Sequence, residues 1–168
     1  ELYEWFVEVR DKLGMHVIGL SEGASAVAAA MAAGEIMCLL CDRDISGGGV
    51  EVEFFGEVTR LPGGPAVLAL RSGAPLVPAA VYFRGGGIHA IIEPPLDTER
   101  RGRLREDVRR VTQDLAHVLE MQIRRAPEQW HLLQPNWPSD FEALGRPVPQ
   151  WAAGAQGPAG SSTEDPAG

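Results

Sequence analysis

The residues of this chain best suited to chemistry form one short group: Asp42, Arg43 and Asp44, then Glu51 and Glu53. The first three follow an apolar run, Ile36 to Leu40, and the two glutamates alternate with Val50, Val52 and Phe54. Period-two alternation puts Glu51 and Glu53 on one face of a strand and the apolar residues on the other. Carboxylates gathered near an arginine can tune a proton-transfer group or bind hydroxyls. The same residues also fit a solvated turn followed by an edge strand with one wet face, and their spacing alone does not choose.

Other chemistries find less support. There is no G-x-S-x-G nucleophile elbow and no G-x-x-x-x-G-K-[ST] phosphate loop. The Gly47–Gly49 run lacks a following helix signal. His16, His89, His117 and His131 lie far apart, with no metal-ligand spacing. Cys38 and Cys41 have C-x-x-C spacing but no second ligand pair nearby, and they sit in an apolar run. They read as two small residues of a buried strand rather than a redox or zinc motif.

The formal charge of −8 argues against general affinity for nucleic acid. Lys12 is the lone lysine, and Arg100, Arg101, Arg103, Arg105, Arg109 and Arg110 crowd one stretch. Two readings remain for that run: a solvated helix start softened by Glu99, Glu106 and Asp107, or a surface for lipid headgroups or cofactor phosphates. Trp130 and Trp137 fit the core better than a membrane interface. No apolar run reaches the roughly 20 residues of a membrane-spanning helix, and no signal peptide is visible. The chain opens at Glu1 inside an amphipathic pattern, which reads as a cut or a gene-model start.

Around the polar group, hydrophobic periodicity predicts helices over Leu2–Leu13, Ala24–Ala33, Ala66–Arg71 and Arg103–Arg125, with Gly14, Gly34, Gly73 and Pro127 as stops. It predicts strands over His16–Leu20, Ile36–Leu40, Val50–Phe55, Leu76–Phe83 and Ile88–Ile92, the last two joined as a hairpin through Gly85-Gly86-Gly87. Ile36–Leu40 has the continuous apolar character of a central strand buried on both faces. The expected class is α/β, a mixed sheet flanked by helices, in one domain over residues 1–144. A Gly/Pro/Ala/Ser-rich tail over 145–168 is expected to be disordered.

Read in order, Asp42-Arg43-Asp44, Gly49 to Gly56, Leu61-Pro62-Gly63-Gly64-Pro65-Ala66, Ser72 to Pro78 and Pro127-Glu128-Gln129-Trp130-His131 resemble the bacterial lipid A biosynthesis (lauroyl/myristoyl) acyltransferase family. The run Pro127 to Pro135 favours its actinobacterial phosphatidylinositol mannoside branch. The resemblance covers about residues 1 to 142. It implies a glycerolipid-acyltransferase-like fold, incomplete here at its N-terminus, with residues 1–144 as the C-terminal two-thirds of the acyltransferase domain. It also implies a peripheral enzyme at the cytoplasmic face of the plasma membrane, moving an acyl chain from acyl-CoA to a sugar hydroxyl of a glycolipid.

On that resemblance, acyl-CoA is a co-substrate, no cofactor or metal is held, and the partners are the glycolipid acceptor and an anionic membrane surface, not nucleic acid. The family's base is a His in a His-x-x-x-x-Asp/Glu motif. Five places after the four histidines stand Ser21, Pro94, Gln122 and Asn136, so the motif is absent from these residues. The chain is therefore expected to be inactive alone, and as a cut piece to lack part of its sheet and expose an apolar face. Glu51 and Glu53 match the family's polar segment as candidate catalytic residues, with Asp42, Arg43 and Asp44 as candidate substrate-binding residues. A catalytically inactive lipid-binding module of the same fold is the alternative.

Overall fold

The structure is a computed structural model that describes residues 1–19, 23–45 and 47–152. It divides into two compact units, Glu1–Leu39 and Leu40–Gly168.

The first unit holds helix α1, Leu2–Lys12, and helix α2, Gly23–Ala32. Both predicted helices are present to within about a residue. Each ends in a tight backbone reversal: the Met15 amide donates to Arg10 O at 2.9 Å, and the Glu35 amide donates to Ala30 O at 3.1 Å. Such 6→1 bonds satisfy carbonyls that a helix end leaves open.

Two predicted strands are not there. Residues 16–19 and Ile36–Leu40 carry no strand, and Leu20 lies outside the described residues. Ile36 is 92% and Leu40 96% exposed, the reverse of a central strand. The reason is pairing: a buried strand needs neighbours to satisfy its amides and carbonyls, and no described segment ladders with either run. Cys38, expected in the core, is exposed, and Cys41 is only half-buried.

The second unit starts with a hairpin, β1 (Val50–Phe54) against β2 (Glu57–Leu61). Val50 faces Leu61, Val52 faces Thr59 and Phe54 faces Glu57. The connection is Phe55-Gly56, at φ 57° and 81°. A two-residue hairpin loop with both residues left-handed matches the right-handed twist of the strands. Gly56 adopts this at no steric cost, whereas Phe55 carries strain of about 1–2 kcal/mol. Its ring recovers part of that by stacking on Trp130 at 5.9 Å, with the Arg124 guanidinium 4.8 Å from its centroid.

Helix α3, Gly64–Ser72, follows with Pro65 in its first turn, and Gly73 closes it in the left-handed region. A second hairpin pairs β3 (Ala79–Arg84) with β4 (Gly87–Ile92), as the sequence led one to expect. Instead of one mixed sheet, the described residues form two separate two-stranded antiparallel sheets. Helix α4, Leu104–Arg124, is the longest element. A short 3-10 turn, Pro127–Gln129, and helix α5, Pro138–Ala143, complete the unit. At the start of the expected tail Ala152 is buried and the Arg60 guanidinium lies over the Trp151 ring, while residues 153–168 lie outside the described residues.

The core lies where α4 crosses β1 and α3. Val52, Phe54 and Leu61 pack with Ala116, while Ala66 and Leu70 of α3 pack with Val108 and Val111. Phe54, Leu61 and Val111 are fully buried, each contributing about 1.5–3 kcal/mol by removal from water. The helix also satisfies the outer edge of β1. The Glu53 amide donates to Gln113 Oε1 at 2.9 Å, Gln113 Nε2 returns a bond to Glu53 O at 2.8 Å, and the Phe55 amide donates to Glu120 Oε1 at 2.7 Å.

The arginine run is tied down at the start of α4. Asp107, 3% exposed, accepts from Arg100 Nε at 2.8 Å and from the Arg101 and Gly102 amides. Arg101 pairs with Asp97, and Arg110 donates to the Asp97 and Glu99 carbonyls. Arg103, Arg105 and Arg109 stay exposed.

Two predictions follow from this packing. A Cβ on Gly49 would stand 2.7 Å from Leu61 O and 2.8 Å from Asp44 Oδ2. Gly49→Ala is expected to cost about 1–3 kcal/mol, read as a lower urea midpoint at unchanged slope; an unchanged midpoint contradicts the packing. Burial pushes the Asp107 carboxyl up, but the Arg100 guanidinium and the Arg101 and Gly102 amides outweigh it and hold its pKa below the usual range. A depressed folded pKa stabilises above the unfolded value, and that stability is lost as pH falls through the folded one. Asp107→Asn should therefore flatten the loss of stability below about pH 4, measured by urea unfolding across pH 2–6.

Candidate functional site

The five polar residues singled out above all fall in the second unit, along one continuous stretch from the loop before β1 to its last turn. Glu51 and Glu53 point from the same face of β1, opposite Val52 and Phe54, and both are exposed. The hairpin register explains why their backbone is special. Val50, Val52 and Phe54 sit at the positions that bond to β2, so the amides and carbonyls of Glu51 and Glu53 point outward. Gln113 occupies those of Glu53. Its Nε2 also stands 3.1 Å from His117 Nε2.

Asp44 holds the loop before the strand. Its carboxylate accepts from the Gly47 amide at 3.1 Å and the Gly49 amide at 2.7 Å. This is the local side-chain-to-backbone bonding that aspartate makes in turns. Asp42 looks elsewhere: its Oδ2 accepts from Trp130 Nε1 at 2.8 Å. Arg43, between them, is half-buried.

Trp130 belongs to an aromatic cluster with Phe54, Phe55 and Trp137, whose ring centroids lie 5.9–6.1 Å from Trp130 or from each other across the indole pairs. Trp137 Nε1 donates to Phe54 O at 2.8 Å. Both indoles thus serve the core, and one of them ties Asp42 to the tip of the β1–β2 hairpin.

One residue of this region was not visible in the sequence pattern. Arg60 lies directly across the hairpin from Glu51. In a non-hydrogen-bonded pair the side chains stand close. Its Nη1 donates to Gly47 O at 3.1 Å, and its guanidinium lies 5.5 Å from the Trp151 ring centroid. A cation is therefore placed beside the carboxylate face. The β2 register would have revealed it, but β2 itself went unrecognised.

The arrangement can orient hydroxyls on two carboxylates beside one guanidinium, over a strand whose far edge is fixed. The first unit carries a groove of about 350 Å³ lined in part by Glu4, Glu8, Asp11 and His16, which includes none of these residues. Among the described residues, no three His, Cys, Asp or Glu side chains converge as around a metal ion, and no helix is long and apolar enough to cross a membrane.

Comparison with known proteins adds the following. The sequence profile described as bacterial lipid A biosynthesis acyltransferase matches residues 1–139. A protein named phosphatidylinositol mannoside acyltransferase from Mycolicibacterium smegmatis is 40% identical over 144 residues, 83% of this chain and 46% of that protein. Its namesake from Mycobacterium tuberculosis strain H37Rv is 38% identical over 149 residues, 86% of this chain and 46% of that protein. The chain thus spans about half the length of these curated relatives.

The loop also sets the chemistry of its neighbour. Burial, with the Asp42 carboxylate adding to it, pushes the Cys41 thiol up to about 11. With Cys38 replaced by Ser, Cys41 should alkylate slowly at pH 8, where roughly one thiol in a thousand is ionised. Its rate should climb about tenfold per pH unit toward pH 10. Asp42→Asn should raise the rate at any fixed pH in this range; an unchanged rate would show that the carboxylate does not act on the thiol.

Proposed function

The chain belongs to the bacterial lipid A biosynthesis acyltransferase family, and from that membership we propose that the intact protein transfers a fatty acyl group from acyl-CoA to a sugar hydroxyl of a membrane glycolipid of the phosphatidylinositol mannoside kind. The observation that carries this reading is the 40% identity over 144 residues to a protein named for that activity. The two glutamates and Arg60 support it as a polar, hydroxyl-binding face of the β1–β2 hairpin.

The reaction is an acyl exchange between oxygen and sulfur. A base takes the proton of the sugar hydroxyl, the oxygen attacks the thioester carbonyl, and the tetrahedral adduct collapses with loss of the CoA thiolate, which regains a proton. In this proposal the base is a histidine outside these 168 residues. Glu51 and Glu53 border it or the acceptor, either orienting the imidazole or accepting sugar hydroxyls. Asp42, Arg43 and Asp44 shape the loop beside the acceptor headgroup, with Asp44 fixing the loop through the Gly47 and Gly49 amides. No residue here is assigned to the oxyanion.

The protein would work at the cytoplasmic face of the plasma membrane as a peripheral enzyme. The exposed Arg103, Arg105 and Arg109 are available to an anionic surface; their neighbours Arg100, Arg101 and Arg110 are committed to Asp97 and Asp107.

The test is acyl transfer by the intact protein, with labelled acyl-CoA and a phosphatidylinositol mannoside acceptor. Glu51→Gln or Glu53→Gln is expected to lower kcat by about 10²–10⁴-fold while the thermal midpoint stays within a few degrees. The 168-residue chain alone should transfer nothing. Full activity in both glutamate variants would remove the carboxylates from the mechanism. Binding of acyl-CoA without transfer by the intact protein would leave an inactive lipid-binding module instead.

A further inference from the structure

The β3–β4 hairpin carries apolar side chains on both faces, with Arg84 and His89 also on the inner one, and only that inner face has a partner in its unit. On the inner face Tyr82 is buried and donates from its hydroxyl to Gln122 O of α4 at 2.8 Å. The outer edge of β3 is held as well: the Phe83 amide donates to Gln129 Oε1 at 2.8 Å, and Gln129 Nε2 donates to Phe83 O at 3.2 Å. The register puts Ala79, Val81 and Phe83 on the other face, opposite Ile92, Ala90 and Ile88. All six are exposed, Val81 by 59%, Phe83 by 70%, Ile88 by 73% and Ile92 by 72%.

A strand pair that buries side chains on one face and is wholly apolar on the other fits a sheet with a layer on each side. We propose that this second face is the docking surface for the part of the family's chain that lies outside the matched stretch. That part makes up about half of each curated relative. The inference rests on family membership and face geometry, not on the chemistry proposed above.

Three other occupants fit less well. Residues 153–168 hold only Ala, Gly, Gln, Pro, Ser, Thr, Glu and Asp, so they offer no large apolar side chain to Phe83, Ile88 or Ile92. A stable complex with a second copy needs about 800 Å² of accessible surface per partner, more than these six side chains on two short strands expose. An anionic lipid surface would call for flanking cations. None of the six positions is charged, and Arg84, beside them, lies over the inner-face Tyr82 ring at 5.8 Å. A modest, uncharged, fully apolar face instead suits an intradomain layer.

The test is cysteine labelling. In a background of Cys38→Ser and Cys41→Ser, Ile88→Cys and Ile92→Cys report the face, and Glu142→Cys reports an exposed position of α5. Maleimide rates are measured in the 168-residue chain and in a chimera where this chain replaces the matched stretch of the M. smegmatis relative. They are also measured in that intact relative, with cysteines at the three aligned positions, so that a poorly folding chimera cannot decide the matter alone. The expected result is rapid labelling at 88 and 92 in the chain. In the relative, and in the chimera where it folds, those rates fall by about tenfold or more while the α5 position is unchanged. Equal rates at all three positions in the intact relative overturn the proposal. So does protection in the 168-residue chain by vesicles of anionic phospholipid, which would assign the face to a lipid surface, or by raised chain concentration, which would assign it to a second copy.

Discussion

The structure depends on one long helix satisfying the open edge of a short strand. A two-stranded ribbon alone is at best marginal in water, and β1 would present unpaired amides on its outer side. Helix α4 relieves both, pairing the outward amides of Glu53 and Phe55. Its apolar stripe covers Val52 and Phe54, and Gln113 and Glu120 supply the acceptors and donor that a third strand would otherwise provide. The same device recurs at the other hairpin, where Gln129 clasps the backbone of Phe83. In each case a glutamine amide, with one donor and one acceptor in a plane, reproduces the pairing pattern of a strand residue. Because the helix grips the backbone of Glu53, the side chains of Glu51 and Glu53 are left free on the opposite face.

The aromatic cluster extends that fixation to the loop. Phe54 and Phe55 sit between Trp130 and Trp137, and each indole N–H is satisfied, one by the Asp42 carboxylate and one by the backbone carbonyl of Phe54. The left-handed Phe55 is tolerated because its ring has this partner and Arg124. Strain at the hairpin tip and the position of the polar loop are thereby coupled: the ring that stabilises the turn rests on the indole that holds Asp42.

Much of this was legible from the sequence where the determining forces are local. Helices α1 to α4 could be read because their stripes and stops are set by residues within a turn or two, as in α3 with Pro65 and Gly73, whereas the six-residue α5 is too short to show a stripe. The shared face of Glu51 and Glu53 followed from period two alone. Strand β2 was missed because Phe55-Gly56 lacks the Asn-Gly or Asp-Gly signal of such turns, and with β2 went Arg60. Ile36–Leu40 failed for another reason. Its composition suits a buried strand, but a strand exists only through its neighbours, and the described residues provide none. The Trp130–Asp42 bond spans 88 residues, beyond any local pattern.

The central claim is that side chains of α4 replace a strand along β1 and so fix the carboxylate-bearing segment. Native-state hydrogen exchange at the Glu53 and Phe55 amides tests it most directly. The account predicts protection at Glu53 comparable to that of Val52 and Phe54, which bond to β2, and its loss at Glu53 alone when Gln113 is replaced by Leu. Exchange of the Glu53 amide at the rate of an open loop in the unaltered chain would contradict it.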